Sequence, residues 1–357
     1  METAPQHRSK PIAFIDFASV LSAVAVVYLH TNGAFWRWRP DAVQPWWPSA
    51  NFIESFFIFA VPVFFMISGA TLMDFNERYG LGTYFKKRAQ KTLVPYVVWS
   101  LVGLAFQLVV THEIAPDAVT LGFITRGLLN GSLGPGNVYW FFIALFCLYL
   151  SIPLFAEVPK ERRTHIFAYL AVATFVLNIL APFVVSLTGR NIPVTVTVGV
   201  GAGYLFYLFT GWIICHCEIP RPWRIAIYLL AVAGLVAQVV GTQVLTPRLG
   251  EIAMTFKGYQ NLPCVLQSVG AFLFFKQVGG ALMRQETVAR VIGFLKHYTF
   301  AVYLLHIFIL QMVVMLLRID VTSLAWRLFA PLGIVALVVA FTWLVRKIPG
   351  VRRWLLP

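Results

Sequence analysis

Charge is scarce in this 357-residue sequence, and negative charge scarcest: only 12% of residues are charged, with 14 Asp and Glu against 28 Lys and Arg. Soluble domains carry about twice that fraction, so a water-facing surface cannot be assembled from this chain. Cysteine is rare too. Cys147, Cys215, Cys217 and Cys264 fall in or at the ends of apolar runs, where a thiol packs as a small apolar group with no obvious disulfide partner. Cys215-His216-Cys217-Glu218 has metal-ligand residues, but adjacent helical positions diverge and no second ligand pair lies nearby, so no metal is expected. The sequence also lacks a convincing internal repeat, a low-complexity tract and a soluble domain. A single membrane-embedded unit over 1–357 is therefore the expected organisation.

What is present is apolar. Hydrophobic residues make up 59% of the chain and mean hydropathy is +0.77, values of a polytopic membrane protein. Runs long enough to cross about 30 Å of hydrocarbon recur near 11–31, 51–73, 92–112, 138–156, 165–187, 198–216, 223–245, 261–279, 299–317 and 326–346. Irregular structure cannot face lipid, so these runs predict an all-α bundle of about ten transmembrane helices. With the N-terminus inside, 20 of the 28 Lys and Arg fall on the cytoplasmic side, among them Arg8, Lys10, Arg352 and Arg353. The other eight, including Arg37, Arg190, Lys257 and Arg327, fall on or near the outer side. Both termini are then cytoplasmic. This asymmetry accounts for the net charge of +14 through the lipid bilayer and cytoplasmic phosphates, so no nucleic-acid partner is needed. The first apolar stretch is too long for a signal peptide, and His-Thr-Asn-Gly-Ala-Phe-Trp after it makes a poor cleavage site, so it is expected to stay attached. Between spans, 280–298 reads as an interfacial amphipathic segment, with Met283, Val288, Val291, Ile292 and Leu295 on one side and Arg284, Glu286 and Arg290 on the other.

Three constellations could carry chemistry. His30 stands at the far end of the first span, and an ionisable side chain inside a membrane is costly enough to suggest function. Glu54, about one turn into the second span, comes to a similar depth if the two helices are neighbours. A carboxylate there would fix the imidazole tautomer and make His30 a general base. Asp16 lies about 21 Å from His30 along the helix and belongs elsewhere. The second constellation is the inner loop with five cations in fourteen residues, Arg78, Lys86, Lys87, Arg88 and Lys91. It obeys the topology rule and would equally receive a polyanion. The third is the outer loop Phe35-Trp36-Arg37-Trp38-Arg39-Pro40 with Pro45-Trp46-Trp47-Pro48, whose four tryptophans serve as interface anchors or as a stacking platform for a sugar.

Several segments resemble, in order, the integral-membrane acyltransferase 3 family, which O-acylates bacterial envelope and secreted glycans. They are Phe14-Ile15-Asp16-Phe17 leading to Val27-Tyr28-Leu29-His30, Val61 to Gly69, Phe85 to Tyr96, Tyr139-Trp140-Phe141-Phe142 with Tyr149 to Leu154, and Tyr298 to His306. In the family motif of a basic residue, ten intervening residues and a functional histidine, His30 matches the histidine but Ser19 stands where the basic residue should be. The family's arginine, two residues, arginine survives as Arg88 and Lys91, the latter a point charge rather than a fork.

The resemblance implies acyl-CoA, most simply acetyl-CoA, as donor, and a glycan or lipid-linked saccharide as acceptor. Lys86, Lys87, Arg88, Lys91 and Ser19 are the implied donor-binding residues, His30 and Glu54 the catalytic pair, and Trp36, Arg37, Trp38, Trp140, Tyr303 and His306 the acceptor-binding set. Ser19 to His30 is about 16 Å of helix, comparable to an extended pantetheine arm. A thioester entering from the cytoplasm could thus meet a hydroxyl from outside at the level of a bacterial inner membrane. His30 would then act as base or first accept the acyl group itself. With no attached soluble domain, the membrane portion acts directly or with a separate partner protein. A multi-pass transporter or flippase shares the span count, buried histidine and carboxylate, although the expected related halves are not found. A family member without catalysis is the remaining alternative.

Overall fold

The computed structural model describes residues 13–188, 203–348, 350 and 355–356. Arg8, Lys10, Arg190, Arg352 and Arg353, used in the charge count, lie outside the described residues. All regular structure among the described residues is helical. The helices run α1 Ala13–Thr31, α2 Trp47–Phe57, α3 Ala60–Leu72, α4 Leu81–Arg88, α5 Val94–Val109, α6 Leu121–Asn130, α7 Trp140–Ala156 and α8 Lys160–Phe175. They continue as α9 Ala181–Leu187, α10 Tyr204–His216, α11 Arg221–Leu249, α12 Leu262–Phe274, α13 Gly280–Leu282, α14 Glu286–Leu295, α15 Thr299–Leu317 and α16 Leu324–Val345. Joined across their short breaks, they make 8 segments long and apolar enough to cross a membrane, and α7 and α10 are shorter apolar helices. Each of the ten expected runs thus overlaps an apolar helical segment, and the chain is an all-α multi-pass membrane protein.

Local chemistry explains several breaks. Wide turns of π geometry at Ala89–Leu93 and Val176–Leu180 each precede a proline, Pro95 and Pro182. A proline ring collides with the carbonyl four residues back, here Lys91 and Asn178, and a wider turn relieves that clash. Helix α6 starts on Thr120, whose side chain accepts from Phe123 N at 3.1 Å, and ends at Gly131 with φ 72°, which glycine adopts without strain.

Bundle packing relies on small residues, because lipid supplies no hydrophobic drive between helices. Helices α3 and α10 cross backbone to backbone: a Cβ on Gly69 would stand 1.9 Å from the carbonyl oxygen of Leu208, and one on Gly211 would stand 2.2 Å from that of Met66. Helix α1 is central, in contact with α2, α3, α14, α15 and α16. Ala18 and Ala25 on one side of it, and Ala23 and Val27 on the other, are almost fully buried. The periphery is apolar and open, with Leu229 on α11 and Phe329 on α16 turned outward to the space of the lipid.

One end of the bundle gathers the ion pairs. Arg163, buried at the start of α8, binds Asp74 and donates to the carbonyls of Ala156 and Val158. His216 Nε2 is 3.3 Å from the same carboxylate, Lys160 pairs with Glu77 at 2.8 Å, and Lys296 pairs with Asp16 at 2.8 Å. His216 therefore serves this network, and Asp16 is occupied far from His30. The amphipathic segment folds as α14, with Ile292 buried and Met283, Val288 and Leu295 packed on the core. Val291, expected on the same face, is instead half exposed, because it stands about 100° round the helix from the buried Ile292.

Replacing Gly211 with Ala should cost about 3 kcal/mol or more, since backbone rather than a movable side chain opposes the new methyl. Gly82→Ala, which meets nothing within 4 Å, should be tolerated. Thermal unfolding of both variants in detergent checks the contrast.

Candidate active site

His30 lies in the last turn of α1 and is partly buried as a residue. Its neighbour is a second imidazole. The ring centroid of His306, from α15, lies 4.9 Å away with the planes inclined by 44°. His306 is fully buried, and its Nδ1 is 2.9 Å from both the Val302 and the Tyr303 carbonyl oxygens. Carbonyls only accept, so Nδ1 carries the proton and Nε2 keeps the lone pair. That Nε2 is buried without a hydrogen-bond partner among the described residues, beside the His30 ring. The pair consists of one held imidazole with a spare acceptor and one imidazole on a less buried residue.

Tyr303 extends the site toward the charged end. Its ring lies 6.2 Å from that of His306, and its hydroxyl donates to Val138 O at 2.5 Å. Tyr303 also walls a cavity of about 370 Å³ lined further by Ser19, Ser68, Lys91, Thr92 and Tyr149. Two expected donor residues, Ser19 and Lys91, therefore share one cavity with an expected acceptor residue, Tyr303. Arg88 stands over the Tyr149 ring at 5.4 Å, with its Nε buried and unpartnered among the described residues. Lys87 instead caps the Tyr79 ring at 3.7 Å and Lys86 is exposed, so the basic cluster divides at the wide turn.

Glu54 is near the end of α1 but not bonded to His30. Among the described residues its carboxylate accepts from Asn32 Nδ2 at 3.2 Å, and Asn32 in turn donates to Ala50 O at 2.9 Å. The compensating charge is Lys257, only 2% exposed, which donates to Ser55 Oγ and lies 5.0 Å from the Phe35 ring centre. Burial pushes the Lys257 ammonium down to about 8, against the opposing pull of Glu54. The carboxylate expected to orient His30 thus holds the residue two places on. Lys257 and Asn32 were not recognisable as site residues: one was an outer-side cation in a connecting segment, the other a polar residue after a span.

The tryptophan loop is partly core. Trp47 is buried and donates its indole N–H to Phe35 O at 3.1 Å, and Trp38 packs on Trp47. Trp36, 55% exposed, and Arg37 remain on the surface. Trp140 stacks on Tyr259 at 5.2 Å, and Tyr259 lies within electrostatic reach of Glu54.

A family model described as an acyltransferase domain matches residues 12–346. This chain belongs to that acyltransferase family. YfiQ of Bacillus subtilis (strain 168), named "Putative membrane-bound acyltransferase", is 23% identical over 298 residues, covering 80% of this chain and 77% of that protein. No solved structure matches the chain. In this acyltransferase Lys91 lines the same cavity as Ser19, from another helical segment.

Lys257→Met and Glu54→Gln should each cost about 3–5 kcal/mol, since either leaves a buried charge uncompensated, and the double variant should recover much of that loss. Thermal unfolding of the cycle measures the coupling; additive losses would mean that the two charges act independently.

Proposed function

We propose that this membrane acyltransferase moves an acetyl group from cytoplasmic acetyl-CoA to a hydroxyl of an envelope or secreted polysaccharide, or of its lipid-linked precursor, in the bacterial cytoplasmic membrane. The observation that carries the reading is the His30–His306 pair, one tyrosine away from a cavity that holds Ser19 and Lys91. The orientation follows from the charge bias, with both termini and the basic loop facing the cytoplasm.

In this reading Arg88 and Lys91 receive donor phosphates at the mouth, and the thioester arm passes Ser19 toward Tyr303. The acceptor arrives from the end of the bundle that carries Trp36 and Arg37. His30 takes the hydroxyl proton as the oxygen attacks the thioester carbonyl. The C–S bond then breaks, and the departing thiolate takes the proton back from the imidazolium. The unprotonated Nε2 of His306, on a ring packed against that of His30, stabilises the transient positive charge. Glu54, through Asn32, fixes the end of α1 that carries His30. Water exclusion comes from the aromatic walls of Phe141, Phe300 and Tyr303 around the cavity.

His30→Ala should lower acetyl transfer from labelled acetyl-CoA by at least about 100-fold while the protein remains folded and inserted. Retained transfer would reassign the base. Lys91→Glu should raise the KM for acetyl-CoA about ten-fold or more and leave the acceptor KM nearly unchanged; an unaltered donor KM would reduce the cation to a topological role.

A further inference from the structure

A second cavity, of about 640 Å³, lies at the charged end where the α14–α15 junction meets the end of α16. Among the described residues, its lining consists of Lys296, His297, Arg346 and Lys347 with four aromatic side chains, and includes no Asp or Glu. Lys296 is neutralised by Asp16 at 2.8 Å, and Arg346 holds the carbonyls of Leu356 and His297 while lying 5.1 Å from the Tyr298 ring centre. Lys347 is exposed, with its ammonium 3.7 Å from the Trp343 ring centre. These cations are braced by rings and carbonyls, and the cavity keeps a net positive lining.

The cavity does not end there. It shares Phe294 and Trp343 with an apolar groove of about 470 Å³ that runs along α16 past Val339 and Val335 to Leu332. From Leu332 to Trp343 is about 16 Å of helix, roughly half of a 30 Å hydrocarbon core and so one leaflet deep. Leu332 and Trp343 are both more than half exposed, on the outward side of the bundle. A cationic cup at the interface that opens into a one-leaflet apolar groove has the charge and the length of a single class of molecule.

We propose that this composite cleft is a binding site for an anionic glycerophospholipid, with the headgroup phosphate at Lys347, His297 and Arg346 and an acyl chain along α16. The assignment does not depend on the acyl-transfer reading, since none of these residues lines the cavity walled by Ser19, Lys91 and Tyr303 except Phe300, which walls both. A bound lipid would tie α14 to α16, between which described side chains leave the groove open.

The test places the full-length protein in nanodiscs of equal phosphatidylglycerol and phosphatidylcholine and measures the lipid that stays bound by native mass spectrometry after gentle extraction. Phosphatidylglycerol should be retained about five-fold over phosphatidylcholine, the selectivity a single cation near the surface can supply. Lys347→Glu should abolish that preference, and Trp343→Ala should lower retention of both lipids, with thermal unfolding confirming that each variant is folded. Equal retention of the two lipids by the native protein overturns the proposal, as does an undiminished preference in folded Lys347→Glu. Displacement of phosphatidylglycerol by added coenzyme A, mole for mole, would also overturn it and assign the cup to a nucleotide phosphate.

Discussion

Hydrocarbon offers no hydrogen-bond partner, so a polar group carried into this bundle must find one within the protein. That requirement organises the interior. Tyr139 and Tyr303 donate their hydroxyls across to carbonyls of α15 and of the turn before α7, Asn51 reaches Val239 O at 2.9 Å, and Gln267 bridges the carbonyls of Ser55 and Phe56 at 3.0 Å each. His306 obeys the same rule with Nδ1 but leaves Nε2 without a partner, next to His30. Other buried polar atoms, including Ser22 Oγ, Asn32 Oδ1 and Arg88 Nε, also lack a partner among the described residues, but the His306 acceptor lies beside a second imidazole.

The two ends of the bundle handle charge differently. At the ion-pair end, Asp74, Glu77 and Asp16 meet Arg163, Lys160 and Lys296 where helices emerge. Toward the other end, Glu54 and Lys257 are buried together beneath Phe35 and Trp47, and the lost hydration is offset by Asn32, Ser55 and mutual attraction. This deeper pair fastens the connecting segment before α12 onto α2 and thereby holds the outer end of α1. The tryptophan loop belongs to the same lid, so much of its aromatic surface is spent on packing, with Trp36 left outside.

Much of the architecture was legible before any coordinates. Apolar run length gives the helices, because a span must be long and hydrophobic whatever packs beside it. His30 could be singled out because an ionisable residue in such a run is rare, and Arg88 and Lys91 because they stand at the places of the family's arginine, two residues, arginine motif. The partner of His30 was not legible. Glu54 and His306 were equally available by residue type, and depth along separate helices cannot say which side chain faces which. Helix rotation and neighbour identity decide that, and they arise from contacts such as Gly69 against Leu208 that leave no periodic signal.

By itself, the sequence determined a membrane-spanning helical chain of the acyltransferase kind, because hydropathy, cation distribution and ordered short motifs are properties of residues in line. Only the tertiary structure decided that His30 meets His306 and that Glu54 serves Asn32 and Lys257. It also decided that Ser19, Lys91 and Tyr303 wall one cavity. Those are relations between helices distant in the chain, set by the rotation and close approach that side-chain volume and buried hydrogen bonding permit.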